Sequence, residues 1–355
     1  MSQSEKLPDV YIITPVFNAS SVLKEYFAGI SILDYPKNKI HLIMPDGGST
    51  DQTTSLCLEA GALVIDNPLK TGEAGKAIGV KRALQLITKA EQDDHQSLIC
   101  LLDSDNFITR PDWLNQLVQP LLDDPAIIGS EPLEYLYRQS DSLITRYCAL
   151  MGMSDPIMLW LGNYDRYNQL TKRWTGLDLN VVDQGNYLAW QLDLKKLPTI
   201  GANGTIFRAE LFKTAKIGDY LFDIEVLYQY LNKRPAKFAK VKVGIVHAYC
   251  NTTAAFKRKQ QRRIQDFNFY ERTGQRQFWS SNLNYRGLAK FILCTVTVLP
   301  LLYQVMIGYR RVADRAWWYH PIACWITLWI YASNRIGLRF KTPAIADRQN
   351  WRQGA

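Results

Sequence analysis

The sequence predicts an α/β fold with a mostly parallel sheet, and three observations carry this prediction. Between residues 10 and 102, short apolar runs alternate with segments of helical spacing, as in chains that form parallel sheets with right-handed crossovers. The run Leu98–Leu102 is apolar throughout and too short for a stable helix, which is typical of a strand buried on both faces. Asp103 and Asp105 follow it, at the edge where open α/β sheets bind ligands.

The elements around this strand follow in a regular order. Apolar runs predict strands, and apolar residues at helical spacing predict helices between them. The predicted strands cover residues 10–18, 40–44, 62–66 and 242–247, and the predicted helices cover residues 19–32, 52–60 and 77–90.

Composition restricts the class of protein and its partners. The 355 residues include 42 basic and 33 acidic ones, for a net charge of +9, and the basic ones concentrate in the last third. This predicts a polyanionic partner: a phosphate-bearing substrate, an anionic membrane surface or nucleic acid. The six scattered cysteines form no Cys-x-x-Cys pair, which favours reduced, packed thiols over disulfides or a zinc site. The N-terminal residues lack the apolar core of a signal peptide.

The acidic pair has two interpretations. If the strand continued, Asp103 and Asp105 would lie on one face and converge on a cation. Alternatively, the segment is a helix-capping turn, since Asp, Ser and Asn are preferred caps. The segment 72–77 lacks the spacing of a P-loop, and no Gly-x-Gly-x-x-Gly follows the first strand. These absences argue against a P-loop ATPase and a Rossmann dehydrogenase.

Three motifs together resemble a known family. They are Thr14-Pro15-Val16-Phe17-Asn18, Asp46-Gly47-Gly48-Ser49-Thr50-Asp51 and Asp103-Ser104-Asp105. In order and spacing they resemble the nucleotide-sugar domain of family 2 glycosyltransferases, which has the GT-A fold. The resemblance implies a GT-A domain over residues 1–255 that moves a sugar from a nucleoside-diphosphate sugar to an acceptor with inversion. It implies donor binding by Thr14, Pro15, Asn18, Asp46, Lys76, Asp103, Ser104 and Asp105.

The resemblance also implies a divalent cation on Asp103 and Asp105, with His247 as a further ligand. Oxygen ligands suit Mn²⁺ or Mg²⁺ better than Zn²⁺. A packed or solvent-facing His247 is the alternative. Asp46 corresponds to the family's carboxylate that binds the nucleotide base, and its alternative is a turn residue before Gly47.

The catalytic base is implied at a helix start beyond a glycine-containing acceptor loop. The loop corresponds to Gly201, Ala202, Asn203 and Gly204. Asp223 is the best match to the base, with Phe222 where the family more often has Glu, and Glu225 is the second choice. The alternative is an acidic helix N-terminus favoured by the helix dipole.

The segment 256–286 predicts a basic helix. Lys257, Arg258 and Arg262 form a ridge suited to a diphosphate or a lipid phosphate. A solvated basic face is the alternative. No recognised nucleic-acid-binding motif accompanies the ridge, so no nucleic-acid partner is expected.

Residues 287–340 predict a membrane-associated helical hairpin, and residues 341–355 a polar tail. Two uncharged runs, 291–309 and 316–334, have about the length of a bilayer span, and the second is rich in Trp and Tyr. Spanning and lying in the membrane plane both remain open, with a buried helical pair as the alternative. The expected location is the cell membrane with the catalytic domain on the cytoplasmic side.

These features predict a metal-dependent glycosyltransferase with a polyprenyl-phosphate or lipid-linked saccharide acceptor. The alternatives are a soluble or polysaccharide acceptor, and a non-catalytic membrane scaffold that keeps a nucleotide-binding fold.

Overall fold

The computed structural model describes residues 7–90, 97–278 and 283–337. The predicted tail 341–355 and the end of the predicted hairpin lie outside these residues. The chain divides into two compact units. The first comprises residues 1–133, 179–194 and 200–246, and the second comprises residues 134–178, 195–199 and 247–355.

In the described residues, ten strands form one sheet in the order β3-β2-β1-β4-β9-β6-β10-β8-β7, with β5 paired to β10. The strands are β1 Val10–Ile13, β2 Ile40–Asp46, β3 Leu63–Asp66, β4 Leu98–Leu102, β5 Asn106–Phe107, β6 Ile127–Leu136, β7 Val181–Asp183, β8 Tyr187–Gln191, β9 Asn203–Arg208 and β10 Lys237–His247.

The helices of the first unit pack against this sheet or extend its loops. They are α1 Ser20–Ser31, α2 Thr53–Glu59, α3 Gly72–Lys89, α4 Trp113–Asp123, α7 Ala209–Thr214 and α8 Asp223–Leu231. The second unit contains α5 Leu143–Met151, α6 Met158–Leu161, α9 Thr253–Arg272, α10 Tyr285–Thr297, α11 Leu299–Arg311 and α12 Tyr319–Gly337.

The parallel part of the sheet confirms the prediction from the alternating pattern. β1 pairs in parallel with β2 and β4, and β2 pairs in parallel with β3. All residues of β1 and β4 are buried, as expected for strands covered on both faces. Because parallel strands end at one edge, the segments after β1, β2 and β4 lie side by side there.

The prediction of a mostly parallel sheet is wrong for the other strands, and the sheet is mixed. β9 runs antiparallel to β4 and β6, and β8 runs antiparallel to β7 and β10. β7 and β8 follow each other through a short turn in which Gly185 has φ +86°. Such a hairpin needs no crossover helix, so the pattern of alternating strands and helices does not extend to it.

The second unit has an apolar core built from its own helices. Tyr147, Met151, Phe256 and Trp317 are buried in one cluster of this core. Trp160, Phe291, Leu301 and Cys324 belong to a second cluster. Met151 and Met153 are both buried in this core.

Helices α10 to α12 also carry a large exposed apolar surface. In the described residues, no single helix has both the length and the hydropathy of a membrane span. Helices α10 and α11 together have this length and hydropathy, but the pair is bent by 92°. We call the exposed residues of these helices and their connections the apolar face. It comprises Ile292, Leu293, Val296, Leu299, Leu302, Tyr303, Met306, Tyr309, Trp318, Ile322, Trp325, Trp329 and Ile336.

All six cysteines lie in the described residues, and each is buried and free of a disulfide. Cys57 and Cys100 belong to the first unit, and the other four belong to the second. The prediction of packed thiols is confirmed.

Candidate active site

The segment after β1 forms a loop that is tied to the segment after β2. Asn18 has φ +47°, a conformation that Asn tolerates better than most residues. Its side-chain oxygen accepts a hydrogen bond from Thr50 N at 2.8 Å, and its own N–H donates to Ser49 Oγ at 2.9 Å. Thr14 is fully buried, with its hydroxyl 2.6 Å from that of Tyr26. The Thr14 side chain therefore supports the loop from inside the core.

Asp46 organises the second loop. Its carboxylate accepts hydrogen bonds from Gly48 N at 3.0 Å, Ser49 N at 2.9 Å and Ser49 Oγ at 2.5 Å. This is the turn role that the sequence left open as an alternative. A contact with the nucleotide base remains a prediction for this half-buried carboxylate.

Helix α3 begins earlier than predicted, at Gly72, because Thr71 caps it by accepting from Ala74 N at 3.0 Å. Its glycines allow close packing on the sheet. A Cβ on Gly75 would lie 2.7 Å from Pro15 Cβ, and one on Gly79 would lie 2.3 Å from Ile13 Cγ2. This packing accounts for Gly75 in the segment 72–77, whereas a Cβ on Gly72 would meet no atom within 4 Å. The same packing also brings Lys76 Nζ to 3.9 Å from Asp103 Oδ1.

The acidic pair after β4 lies in a turn, so the expected continuation of the strand is not observed. Asn106 N donates to Asp103 O at 3.0 Å, and Asn106 Nδ2 donates to Asp105 Oδ1 at 3.2 Å. Ser104 is buried, whereas the Asp103 side chain is 40% exposed. The turn therefore presents the Asp103 carboxylate toward solvent while Asn106 supports that of Asp105.

The predicted acceptor loop lies beside this turn. Asp103 N donates to Ala202 O at 3.1 Å, which joins residues 201–204 to the acidic pair. Gly204 has φ +82°, and a Cβ there would lie 2.7 Å from the Trp113 ring. Only glycine fits this position without strain.

Asp223 begins helix α8 as predicted, and its environment is unusual for a carboxylate. It is 3% exposed, and its Oδ1 has no hydrogen-bond partner among the described residues. Its pKa is raised to about 6, chiefly by burial, while nearby Lys76 opposes the rise and nearby Asp103 adds to it. Glu225 is also buried. A buried carboxylate with an elevated pKa is suited to accept a proton.

The structure therefore brings Lys76, Asp103, Asp223 and the 201–204 loop together at one edge of the sheet. A sequence-family model described as glycosyl transferase family 2 matches residues 11–212, more than half of the chain. The chain belongs to glycosyl transferase family 2.

Solved structures resemble this family 2 glycosyltransferase at low identity. A mannosyltransferase from Pyrobaculum calidifontis, solved with GDP-mannose and Mn²⁺, is 15% identical with a TM-score of 0.50, covering 94% of this chain and 88% of its own. This likeness shows a GT-A-like fold.

Two further structures have lower TM-scores. Glucosyl-3-phosphoglycerate synthase from Mycobacterium tuberculosis, solved with Mn²⁺ and UDP-glucose, is 18% identical with a TM-score of 0.42, covering 74% of this chain and 80% of its own. S. aureus TarS 1–349, solved with UDP, is 13% identical with a TM-score of 0.41, covering 96% of this chain and 94% of its own. Among curated proteins, no sequence matches this glycosyltransferase.

One buried ion pair of the glycosyltransferase was not predicted from the sequence. Glu131 on β6 and Lys240 on β10 are both fully buried, with Oε1 and Nζ 2.5 Å apart. The Thr205 hydroxyl donates to Glu131 Oε2 at 3.2 Å and also approaches the carbonyl oxygen of Gly201. The pair therefore supports the acceptor loop through the Thr205 hydroxyl, which contacts both Glu131 and Gly201. β6 also carries Glu134, and β10 also carries Lys237 and Lys242, so residue type alone did not single out the buried pair.

The donor set of the acidic pair fits a hard divalent cation. No group of three or more His, Cys, Asp or Glu side chains is placed to hold a metal within residues 7–90, 97–278 and 283–337. Mg²⁺ and related ions are commonly held by one or two protein carboxylates together with substrate phosphates. Asp103 and Asp105 supply two such carboxylates on one turn.

The remaining predicted site residues belong to the second unit. The His247 ring packs against the rings of Tyr135 and Tyr249, with its centroid 5.2 Å and 5.5 Å from theirs. The structure thus agrees with the alternative of a packed His247. A metal-ligand role for His247 remains a prediction. On α9, Lys257 and Arg258 are exposed and Arg262 is half-buried. Phosphate binding by these three also remains a prediction.

Proposed function

We propose that this family 2 glycosyltransferase moves a sugar, with inversion, from a nucleoside diphosphate to a lipid-linked acceptor at a membrane surface. The observation that carries the proposal is the grouping of Lys76, Asp103 and the buried Asp223 beside the 201–204 loop. The mannosyltransferase from Pyrobaculum calidifontis was solved in complex with the nucleotide sugar GDP-mannose. Which sugar this chain uses is a matter for donor screening.

The donor diphosphate carries negative charge that grows as the sugar leaves. Asp103 and Asp105 would hold Mn²⁺ or Mg²⁺, which supplies charge neutralisation to the departing diphosphate. Lys76 adds a fixed positive charge beside them. Pro15, Asn18, Asp46 and Ser104 shape the adjoining loops, where the nucleotide would bind.

Asp223 would act as the base. It takes the proton of the acceptor hydroxyl as the acceptor oxygen bonds to the anomeric carbon, and the bond from that carbon to the diphosphate oxygen breaks. The nucleoside diphosphate leaves with the electron pair. Attack opposite the leaving group inverts the anomeric centre. A phosphate acceptor, already an anion, would not need the base.

The apolar face supports membrane attachment. Its aromatic residues suit the boundary between water and lipid, and exposed apolar surface of this extent marks an interaction site. Arg310 and Arg311 at the end of α11 are exposed and can meet anionic headgroups. We place the enzyme on the cytoplasmic side of the cell membrane, with a polyprenyl phosphate or a lipid-linked saccharide as acceptor.

The substitution Asp105→Ala tests the enzymatic proposal. Loss of one of two cation-binding carboxylates should abolish metal-dependent release of nucleoside diphosphate from a screened nucleotide sugar. Asp34→Ala, an exposed carboxylate of the same unit, should retain the wild-type rate. If Asp105→Ala released nucleotide as fast as wild type, or if wild type released none with any donor, the scaffold alternative would replace the enzyme.

A further inference from the structure

The second unit contains a cavity that the catalytic proposal does not use. Its volume is about 480 Å³, within the range of small-molecule sites. The residues that bear on its chemistry are Trp160, Tyr164, Arg173, Asp178, Lys196 and Asn284. All of them belong to the second unit.

The cavity is shaped by a close approach of two loop segments. Gly176 N donates to Gly162 O at 2.8 Å, and a Cβ on Gly176 would lie 2.9 Å from Gly162 Cα. Gly162 itself has φ +89°. Two glycines are therefore required to hold this wall.

The rim of the cavity is cationic. The guanidinium of Arg173 is exposed and forms no hydrogen bond or ion pair with the described residues. Lys196 Nζ donates to Asp178 O at 3.1 Å, which leaves two of its three protons for another acceptor. Two cations against the single carboxylate of Asp178 favour an anionic ligand group, and Arg binds phosphate through paired N–H donors.

An apolar stripe leads away from the cavity. Asn284, which lines the cavity, caps α10, and Tyr285 is the first residue of that helix. Tyr285, Ile292 and Val296 are all exposed, and their spacing of seven and four residues puts them on one side of α10. The stripe is about 16 Å long at 1.5 Å per residue. It ends among the residues of the apolar face.

We propose that this cavity binds the phosphate of a phosphate-headed lipid, with Arg173 and Lys196 on the phosphate and the chain along Tyr285, Ile292 and Val296. The inference rests on the proposed membrane-bound function, because it assigns a lipid to an enzyme that meets one. It names a binding site and assigns no chemical step to it. A prenyl phosphate and a bulk phospholipid share the required chemistry.

Binding of radiolabelled geranylgeranyl phosphate to the full chain in mild detergent, without donor or metal, tests the site. We expect saturable binding that Arg173→Gln or Lys196→Gln weakens at least about tenfold, as for loss of a charged hydrogen bond. Lys172→Gln is the matched control. It removes the same charge from the neighbouring residue, whose Nζ pairs with Gln169 at 3.2 Å and which does not line the cavity.

Competition identifies the part of the ligand that is recognised. Unlabelled geranylgeranyl phosphate should compete, and geranylgeraniol and inorganic phosphate at the same concentration should not. Competition by phosphatidylglycerol would assign the site to bulk phospholipid, and a lack of competition by this lipid would assign it to a prenyl lipid.

Equal weakening of binding by Arg173→Gln and Lys172→Gln, or equal competition by geranylgeraniol, would overturn the proposal. Nucleotide release, measured separately, distinguishes this failure from failure of the catalytic proposal.

Discussion

Asp223 is buried, and its Oδ1 has no hydrogen-bond partner within the part of the chain that the structure describes. Burial of such an oxygen costs free energy, and this arrangement is expected where the oxygen accepts a proton from substrate. Asp223→Asn keeps the shape of the side chain and removes the base. We expect nucleotide-sugar binding within about twofold of wild type and transfer reduced by about 10²–10⁴-fold. Binding is measured by titration calorimetry and transfer by product formation.

Glu225→Gln on the same helix is the comparison for this prediction, because Glu225 was the second choice as base. It should lower transfer less than Asp223→Asn does. Normal transfer by Asp223→Asn would mean that the base lies elsewhere, or that the acceptor is a phosphate that needs none.

The pKa of Asp223 also predicts a pH dependence of stability. Because burial raises the pKa from 3.8 to about 6, the folded state favours the protonated carboxyl. The resulting stabilisation is complete below about pH 4 and is lost as the pH rises through 6. At pH 8, Asp223→Asn should therefore be more stable than wild type by up to about 3 kcal/mol, at 1.36 kcal/mol per pKa unit.

Urea unfolding at pH 4, 6 and 8 measures this difference, which should grow as the pH rises. Asp34→Asn, at an exposed position, should show no such trend. A difference for Asp223→Asn that is the same at all three pH values would contradict the assigned environment of the carboxyl group.

Strands β6 and β10 are joined by the buried ion pair of Glu131 and Lys240. Thr205 connects this pair to the acceptor loop. Lys240→Met leaves an uncompensated buried carboxylate and should lower the free energy of unfolding by about 3–5 kcal/mol. Urea denaturation gives this value. The added substitution Glu131→Gln should recover much of it, and simple additivity of the two losses would argue against a coupled pair.

The sequence pattern was sufficient for β1 to β4 and for the helices between them, because local apolar spacing determines those elements. It also placed the loops after β1, β2 and β4 at one edge. The antiparallel half of the sheet was missed. The β7–β8 hairpin has no helix between its strands, and the other antiparallel pairs, such as β4 with β9, join segments far apart in the chain. For the same reason, the contact of Glu131 with Lys240 has no local signature.

Within the candidate site, the family resemblance selected Asp103 and Asp223, which the structure places near Lys76. The sequence left open whether the acidic pair lies in a turn and whether Asp46 is held by the Gly48–Ser49 backbone, as the structure shows. Both features depend on hydrogen bonds that residue types permit but do not determine. Gly75 and Gly79 of α3 were likewise explained only by the atoms they contact.

At the level of the whole molecule, the apolar face predicts binding to lipid vesicles. Leu293 and Trp329 are 64% and 72% exposed. The double substitution Leu293→Asp and Trp329→Asp should reduce co-sedimentation with anionic vesicles at least about tenfold, because each removes apolar surface and adds a charge that opposes burial in lipid.

The matched control for vesicle binding is Leu58→Asp, which changes a 60% exposed leucine of the first unit. It should leave co-sedimentation unchanged. Wild-type protein that stays in the supernatant with both neutral and anionic vesicles would argue against membrane attachment.

The buried cysteines make the two units separately observable. A maleimide can react with these thiols only when the surrounding structure opens. Cys57 and Cys100 therefore report on the first unit, and Cys148, Cys250, Cys294 and Cys324 on the second. Mass spectrometry of labelled peptides across a urea series would show which unit loses its fold first, without any engineered probe.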